Sequence, residues 1–232
     1  MGFTEQEKIF LKGPFGVIFD LDGTLVNSLG DLQSSVNAVM RAHGFPAATE
    51  EAMKRMVGNG IRKLVERALP EQERTPGFIE SCLREFSEHY RTHCLDQTRP
   101  YPGMGELVLS LHADGIRTAV VSNKADCMAK QIVGGLFPDS AFDRVFGMQE
   151  GVAPKPDPEA LLRICKEWDV RLSNCAMVGD SDVDILTGKN AGMYTIGVAW
   201  GFRGRRELQQ SGADFIADNA AQLAEALRKF CS

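Results

Sequence analysis

Five short apolar runs constrain this chain more than any other feature: FGVIF (15–19), TAVV (118–121), CAMV (175–178), YTIGVAW (194–200) and DFIA (214–217). Each is too short for a helix and too continuously apolar for a strand with one wet face, so they read as strands buried on both sides of a parallel sheet. Helical patterns separate them. Met104, Leu107, Val108 and Leu111 keep a 3.6-residue period that ends before Gly115, and Asp157 and Pro158 read as the N-cap and first-turn proline of a helix carrying Leu161, Leu162 and Ile164. Strands that alternate with helices predict an open, doubly wound α/β sheet.

The stretch 27–98 breaks this alternation, because it offers helix after helix and no strand. Leu29, Leu32, Val36, Val39 and Met40 form one apolar stripe, Ile61, Leu64, Val65, Ala68 and Leu69 a second, and Phe78, Ile79, Cys82, Leu83 and Phe86 a third. The breakers in RPYPGMG (99–105) mark a return to the α/β pattern. The expected organisation is therefore a core built from 1–26 and 99–232, with a helical cap of 27–98 inserted after its first strand.

Composition removes several function classes. The chain has 31 acidic and 26 basic residues, net charge −5, which disfavours a phosphate-backbone footprint and hence a nucleic-acid partner. No run approaches the roughly 20 apolar residues of a membrane span, and the opening MGFTEQEKIFLKG lacks the basic start and apolar centre of a secretory signal. The six cysteines show no C-x-x-C spacing and read as reduced, mostly core-filling thiols, as in a cytoplasmic protein. A small soluble ligand is the expected partner.

In doubly wound sheets the binding crevice lies beyond the carboxyl ends of the strands. The first strand delivers Asp20 and Asp22 there, the second Ser122 and Asn123 with Lys124 following, and the third Asp180, Asp182 and Asp184 in GDSDVD, while Lys155 arrives in the proline-bounded APKPDP. Two acids at one strand end imply a metal, a shared proton or a solvated turn. Together with a hydroxyl and a lysine, they suit a transferring phosphoryl group, which needs in-line attack and charge neutralisation. A hard cation such as Mg²⁺ takes carboxylate oxygens, here Asp20 and Asp180. Lys155, the Ser122 hydroxyl, Asn123 and N–H groups at the start of the helix after it are the candidate phosphate ligands. Asp20 is the candidate nucleophile and Asp22 the candidate proton donor and acceptor. The turn at Gly23 and Thr24 is expected to present backbone N–H groups to the phosphate.

These motifs, DLDGT (20–24), VVSN (120–123), Lys155 and GDSDVD (179–184), stand in an order that resembles the haloacid dehalogenase superfamily. The resemblance spans the whole core. It implies a Rossmann-like fold with a helical cap, Mg²⁺ dependence and hydrolysis through an aspartyl phosphate. By the same resemblance the metal ligands are the Asp20 side chain, the Asp22 backbone carbonyl and the Asp180 side chain, with Asp184 supporting them. VGNGIRKLVERAL (57–69), RPYPGM (99–104), WGFRGRREL (200–208) and GADFIAD (212–218) look like phosphoglycolate phosphatases. That finer likeness implies 2-phosphoglycolate as substrate. In the cap, Gly58, Asn59 and Gly60 are expected to let the backbone approach it, and Arg62 or Lys63 to pair with a carboxylate. The competing readings are a sugar phosphomutase, a pyrophosphatase or a nucleotidase on the same scaffold. Outside that class stands a phospho-receiver signalling domain, which has no need of Asp22 or a cap. The sequence leaves monomer and homodimer equally open.

Other polar clusters carry simpler readings. His89 and His93 lie four apart on a helix with no third ligand in register, and Arg203, Arg205 and Arg206 read as a solvated loop. Asp182 reads as an exposed first-turn acid favoured by the helix dipole.

Overall fold

The computed structural model describes residues 14–231. The opening segment judged above for a signal therefore lies outside the described residues, as does the start of the expected core. Six strands form one sheet in the order β5-β4-β1-β6-β7-β8. These are β1 (Gly16–Phe19), β4 (Arg117–Ala125), β5 (Arg144–Met148), β6 (Cys175–Gly179), β7 (Tyr194–Val198) and β8 (Phe215–Ala217), and every neighbouring pair is parallel.

Strand alternation divides the core between two faces. Val17, Phe19, Val120, Ala176 and Val178 face one cluster, shared with α5 (Met104–Ala113), α6 (Asp126–Leu136) and α10 (Ala220–Cys231). Their neighbours Ile18, Ala119, Val121, Cys175 and Met177 face the other, packed on α7 (Glu159–Trp168). Burying each large aliphatic or aromatic side chain of this kind contributes about 1.5–3 kcal/mol, so the continuous apolar character of the runs reflects two covered faces. β1 lies at the centre, with β4 on one side and β6 on the other. That is where the winding reverses, and it brings the carboxyl ends of these three strands together.

Helices α1 (Leu29–Ala42), α2 (Glu50–Met56), α3 (Gly60–Ala68) and α4 (Pro76–His93) lie between β2 (Val26–Asn27) and β3 (Arg99–Pro100). The last two pair antiparallel, Val26 with Pro100 and Asn27 with Arg99, so the outgoing and returning chains form one ribbon. We propose this ribbon as the boundary between core and cap. Buried Asp31 on α1 fastens the return: its carboxylate accepts the N–H groups of Gln97 and Thr98 at 2.9 Å and the Thr98 hydroxyl at 2.6 Å.

Four elements differ from the sequence expectation. β8, read as buried on both sides, is the edge strand opposite β5 and leaves Phe215 exposed, because among the described residues no further strand covers that side. β5, at the other edge, has no clean apolar run, with Arg144 and Met148 exposed. Helix α2 buries only Met53, too little for a periodic signal. The N-cap position of α7 falls on Pro158, although Asp157 Oδ1 still accepts the Glu159 N–H at 2.9 Å. All six cysteines are free; Cys127 is exposed rather than core-filling. No helix among the described residues is long and apolar enough to cross a membrane.

Candidate active site

Asp20 follows the last residue of β1, and its N–H donates to Val178 O on β6 at 2.9 Å, which carries the sheet register one residue beyond the strand. Its carboxylate meets those of Asp180, after β6, and Asp184, in the first turn of α8 (Asp182–Ala191). All three are buried, with ligand oxygens within 4.8 Å of one another. Lys155 Nζ bridges two of them, 2.7 Å from Asp20 Oδ1 and 2.6 Å from Asp184 Oδ1.

Each acid is oriented by the backbone around it. Ser181 caps α8, and Asp184 Oδ2 accepts its hydroxyl at 2.7 Å and its N–H at 3.1 Å. Phe202 N–H donates to Asp180 Oδ2 at 2.7 Å. A Cβ on Gly23, whose φ is +88°, would lie 2.4 Å from that same Oδ2, and one on Gly201 would lie 2.2 Å from the Asp180 Cβ. Glycine at both positions is what lets Asp180 approach the end of β1.

The charges do not balance within this cluster. Three carboxylates face one ammonium, and burial makes the surplus costly. Burial first, then the neighbouring Asp184, pushes the Asp20 carboxyl up to about 7, with Lys155 opposing. Burial, Asp184 and Asp20 push Asp180 well above the usual carboxylate range. Burial would lower the Lys155 pKa, but Asp184 and Asp20 together more than offset it, and its ammonium stays charged. If all three acids are ionised, two negative charges remain uncompensated. An all-oxygen donor set with a surplus of two negative charges fits a hard divalent cation such as Mg²⁺.

Asp22 occupies the next position along the turn and is held differently. Ser28 Oγ donates to its Oδ1 at 2.5 Å, and Lys124 Nζ lies 2.9 Å from its Oδ2. Ser122 is nearly buried and lines the same pocket. Asn123 clamps the lysine loop: its Oδ1 accepts the Lys155 N–H at 2.8 Å and its Nδ2 donates to Lys155 O at 3.1 Å. Its amide thus positions Lys155 and is not free for a phosphate oxygen.

Several expected residues lie elsewhere. The Gly23 N–H donates to Val26 O and the Thr24 N–H to Leu21 O, so the turn closes on itself and offers neither group to a ligand. Arg62 pairs with Glu80 on an exposed face, Lys63 with Glu66, and Asn59 Oδ1 accepts from Arg67. None of the three lines the pocket. Gly58 and Gly60 do, beside Leu32, Val57, Ile61 and Leu64, so the cap presents an apolar ceiling. His89 contacts Ser35 and His93 contacts Asp96, with no metal cluster around them among the described residues.

Two pocket residues carried little signal in the sequence. Lys124 looked like a strand-end lysine and is buried against the ring of Tyr90 on α4. Arg203 read as part of a solvated loop, yet its guanidinium donates to Arg55 O at 3.0 Å and Val57 O at 2.6 Å, tying the core to the cap. Long-range contacts of this kind leave no mark on local periodicity.

A doubly wound sheet that gathers Asp20, Ser122, Lys155 and Asp180 at its switch point beneath a helical cap defines a hydrolase class, and the chain belongs to the haloacid dehalogenase-like hydrolase family, whose model matches residues 17–198. Among its relatives are the phosphoglycolate phosphatase of Vibrio parahaemolyticus, 33% identical over 90% of this chain and 94% of that protein, and that of Haemophilus influenzae, 32% identical over 90% and 96%. A crystal structure from Lactobacillus delbrueckii subsp. bulgaricus, assigned provisionally as a phosphoglycolate phosphatase, superposes with a TM-score of 0.86 at 34% identity, covering 91% of this chain and 97% of that one. The β-phosphoglucomutase of Clostridium difficile shares the fold, with a TM-score of 0.76 at 19% identity, covering 94% and 97%.

Proposed function

We propose that the chain is a Mg²⁺-dependent phosphomonoesterase that hydrolyses a small phosphorylated metabolite, 2-phosphoglycolate, through an aspartyl phosphate on Asp20. The observation that carries the reading is the buried set Asp20, Asp180, Asp184 and Lys155, with its surplus negative charge, opening into a pocket under an apolar cap.

Asp20 and Asp180 would hold the cation, with the Asp22 carbonyl and Asp184 in support. When bound, Mg²⁺ supplies charge neutralisation for the phosphoryl oxygens. Lys155 neutralises further charge and orients the Asp20 carboxylate, and the Ser122 hydroxyl binds a phosphoryl oxygen. An Asp20 oxygen attacks phosphorus while the ester P–O bond breaks, and Asp22 gives its proton to the departing alkoxide. Water then attacks phosphorus, its proton passes to Asp22, and the bond from Asp20 to phosphorus breaks to release phosphate. Leu32, Val57, Ile61 and Leu64 leave little polar surface above the site, which suits a short substrate and excludes bulk water from the acyl phosphate.

The glycolate ester enters through the named relatives, which align over nine tenths of the chain. The mutase likeness, at 19% identity, speaks for the fold alone. The test is phosphate release from 2-phosphoglycolate, hexose phosphates, pyrophosphate and nucleotides, with Mg²⁺ and with chelator. Mg²⁺-dependent release, fastest from 2-phosphoglycolate, is expected. Isomerisation of a hexose phosphate without phosphate release would overturn the hydrolase reading, and a faster nucleotide or pyrophosphate the substrate reading.

A further inference from the structure

We propose that Lys124 is the specificity-determining residue for the second negative charge of the substrate: its buried ammonium, already paired with Asp22, takes the carboxylate of the ester as a second partner. The inference rests on the 2-phosphoglycolate reading above and assigns the group that recognises the glycolate end.

Among the described residues, Lys124, Lys155 and Arg203 are the cationic side chains that line the pocket. Lys155 is bound to two carboxylates of the candidate metal cluster, Asp20 and Asp184. Arg203 donates to the Arg55 and Val57 carbonyls and lies 3.7 Å from Glu207, so its fork is occupied in fastening core to cap. Lys124 has one anionic partner, Asp22, at 2.9 Å.

The surroundings of Lys124 suit a charged ligand. Its side chain is 3% exposed, and its ammonium lies 4.7 Å from the centroid of the Tyr90 ring, a face that holds a cation without neutralising it. Ammonium offers three donors; Asp22 Oδ2 takes one and the Tyr90 hydroxyl is a second partner, which leaves one for a ligand. The opposite wall contributes Leu32, Val57, Ile61 and Leu64 but no cation. A carboxylate entering beneath that ceiling would lie unpaired unless it met Lys124, and leaving it so is the costly alternative. Asp22 also accepts the Ser28 hydroxyl at 2.5 Å, so its carboxylate has a second partner when Lys124 is shared.

The test compares 2-phosphoglycolate with ethyl phosphate, which has the same chain length and no carboxylate. The readout is the ratio of their kcat/KM values in wild type, Lys124→Gln, Lys124→Arg and Arg203→Gln. Both esters are measured on one preparation, so a partly unfolded variant lowers both values and leaves the ratio intact. Lys124→Gln is expected to collapse the ratio by about 30- to 100-fold, the worth of a lost charge-assisted contact. The loss should fall mainly on KM for the glycolate ester, with weaker inhibition by glycolate itself. Lys124→Arg should recover part of the ratio, and Arg203→Gln should keep it within about threefold of wild type. A wild-type preference for 2-phosphoglycolate that survives Lys124→Gln overturns the assignment while leaving the substrate reading standing, as does a collapse confined to Arg203→Gln. Absence of any preference in wild type removes the substrate reading, and this inference with it.

Discussion

Asn123 grips Lys155 by both polar atoms of its backbone, across 32 residues of sequence, through bonds of 2.8 and 3.1 Å. A residue at the end of one strand thereby sets where the ammonium from a separate loop meets Asp20 and Asp184. Asn123→Ala removes both bonds and leaves two buried backbone groups unpaired, at about 1–3 kcal/mol each at most. The expected outcome is a lower Tm and a kcat reduced by at least tenfold. Thermal melts and steady-state kinetics check this, and unchanged kcat would show that the loop holds Lys155 without Asn123.

Asp20→Asn keeps the shape of the site and removes the proposed nucleophile. Turnover should fall by at least about 10³-fold, since no attacking oxygen of comparable strength replaces it. The variant should remain folded, because it relieves part of the carboxylate crowding. Single-turnover phosphate release and circular dichroism check the two halves, and near-wild-type turnover would remove Asp20 from the mechanism.

Mg²⁺ affinity should rise with pH. Burial lifts the Asp20 carboxyl to about 7 and Asp180 in the same direction, so in the metal-free site a cation must displace protons below that value. The proton displaced from Asp20 makes binding up to about tenfold tighter per pH unit until the pH passes about 7, and that displaced from Asp180 acts in the same direction. Calorimetric titration at pH 5.5, 6.5 and 7.5 reads this directly, and a pH-independent affinity would contradict it.

The stability of the metal-free protein should follow the opposite course. A carboxyl raised from 3.8 to about 7 binds more protons folded than unfolded, so its contribution is complete below about 4 and is lost as pH rises through 7. Each unit in that interval removes up to about 1.4 kcal/mol per proton. Tm of the chelated protein should decline between pH 5 and pH 7.5, and Mg²⁺ should restore it most at the upper end.

Arg62→Ala should leave the preference for 2-phosphoglycolate within about twofold of wild type, because its guanidinium pairs with exposed Glu80 and lies off the pocket. Exposed pairs contribute about 1 kcal/mol or less, so Tm should also move little. A kinetic survey against neutral esters decides the point, and a lost preference would return the carboxylate subsite to the cap.

Much of the architecture was legible because its cause is local. FGVIF, TAVV and CAMV are continuous apolar runs since both faces of their strands are covered, and the cap stripes keep a helical period since each helix buries one side. β5 was not legible because RVFGM, at one edge of the sheet, buries only Gly147 and its apolar run is broken by Arg144 and Gly147. At the site, Asp20, Asp22, Ser122, Lys155, Asp180 and Asp184 were legible from strand ends and motif order, whereas the partners of Lys124 and Arg203 were not.

The sequence by itself determined five of the six sheet strands and three cap helices, the family and the set of acids that converge where the sheet reverses, because periodicity and strand-end chemistry are written within a few neighbouring residues. Only the tertiary structure decided which charged groups are free to act. It closed the Gly23 and Thr24 N–H groups into their own turn, placed Arg62 and Lys63 on outside ion pairs, and buried Lys124 between Asp22 and Tyr90. The physical reason is that a charge takes its role from the partners and solvent within a few ångströms of it, and those neighbours come from distant parts of the chain.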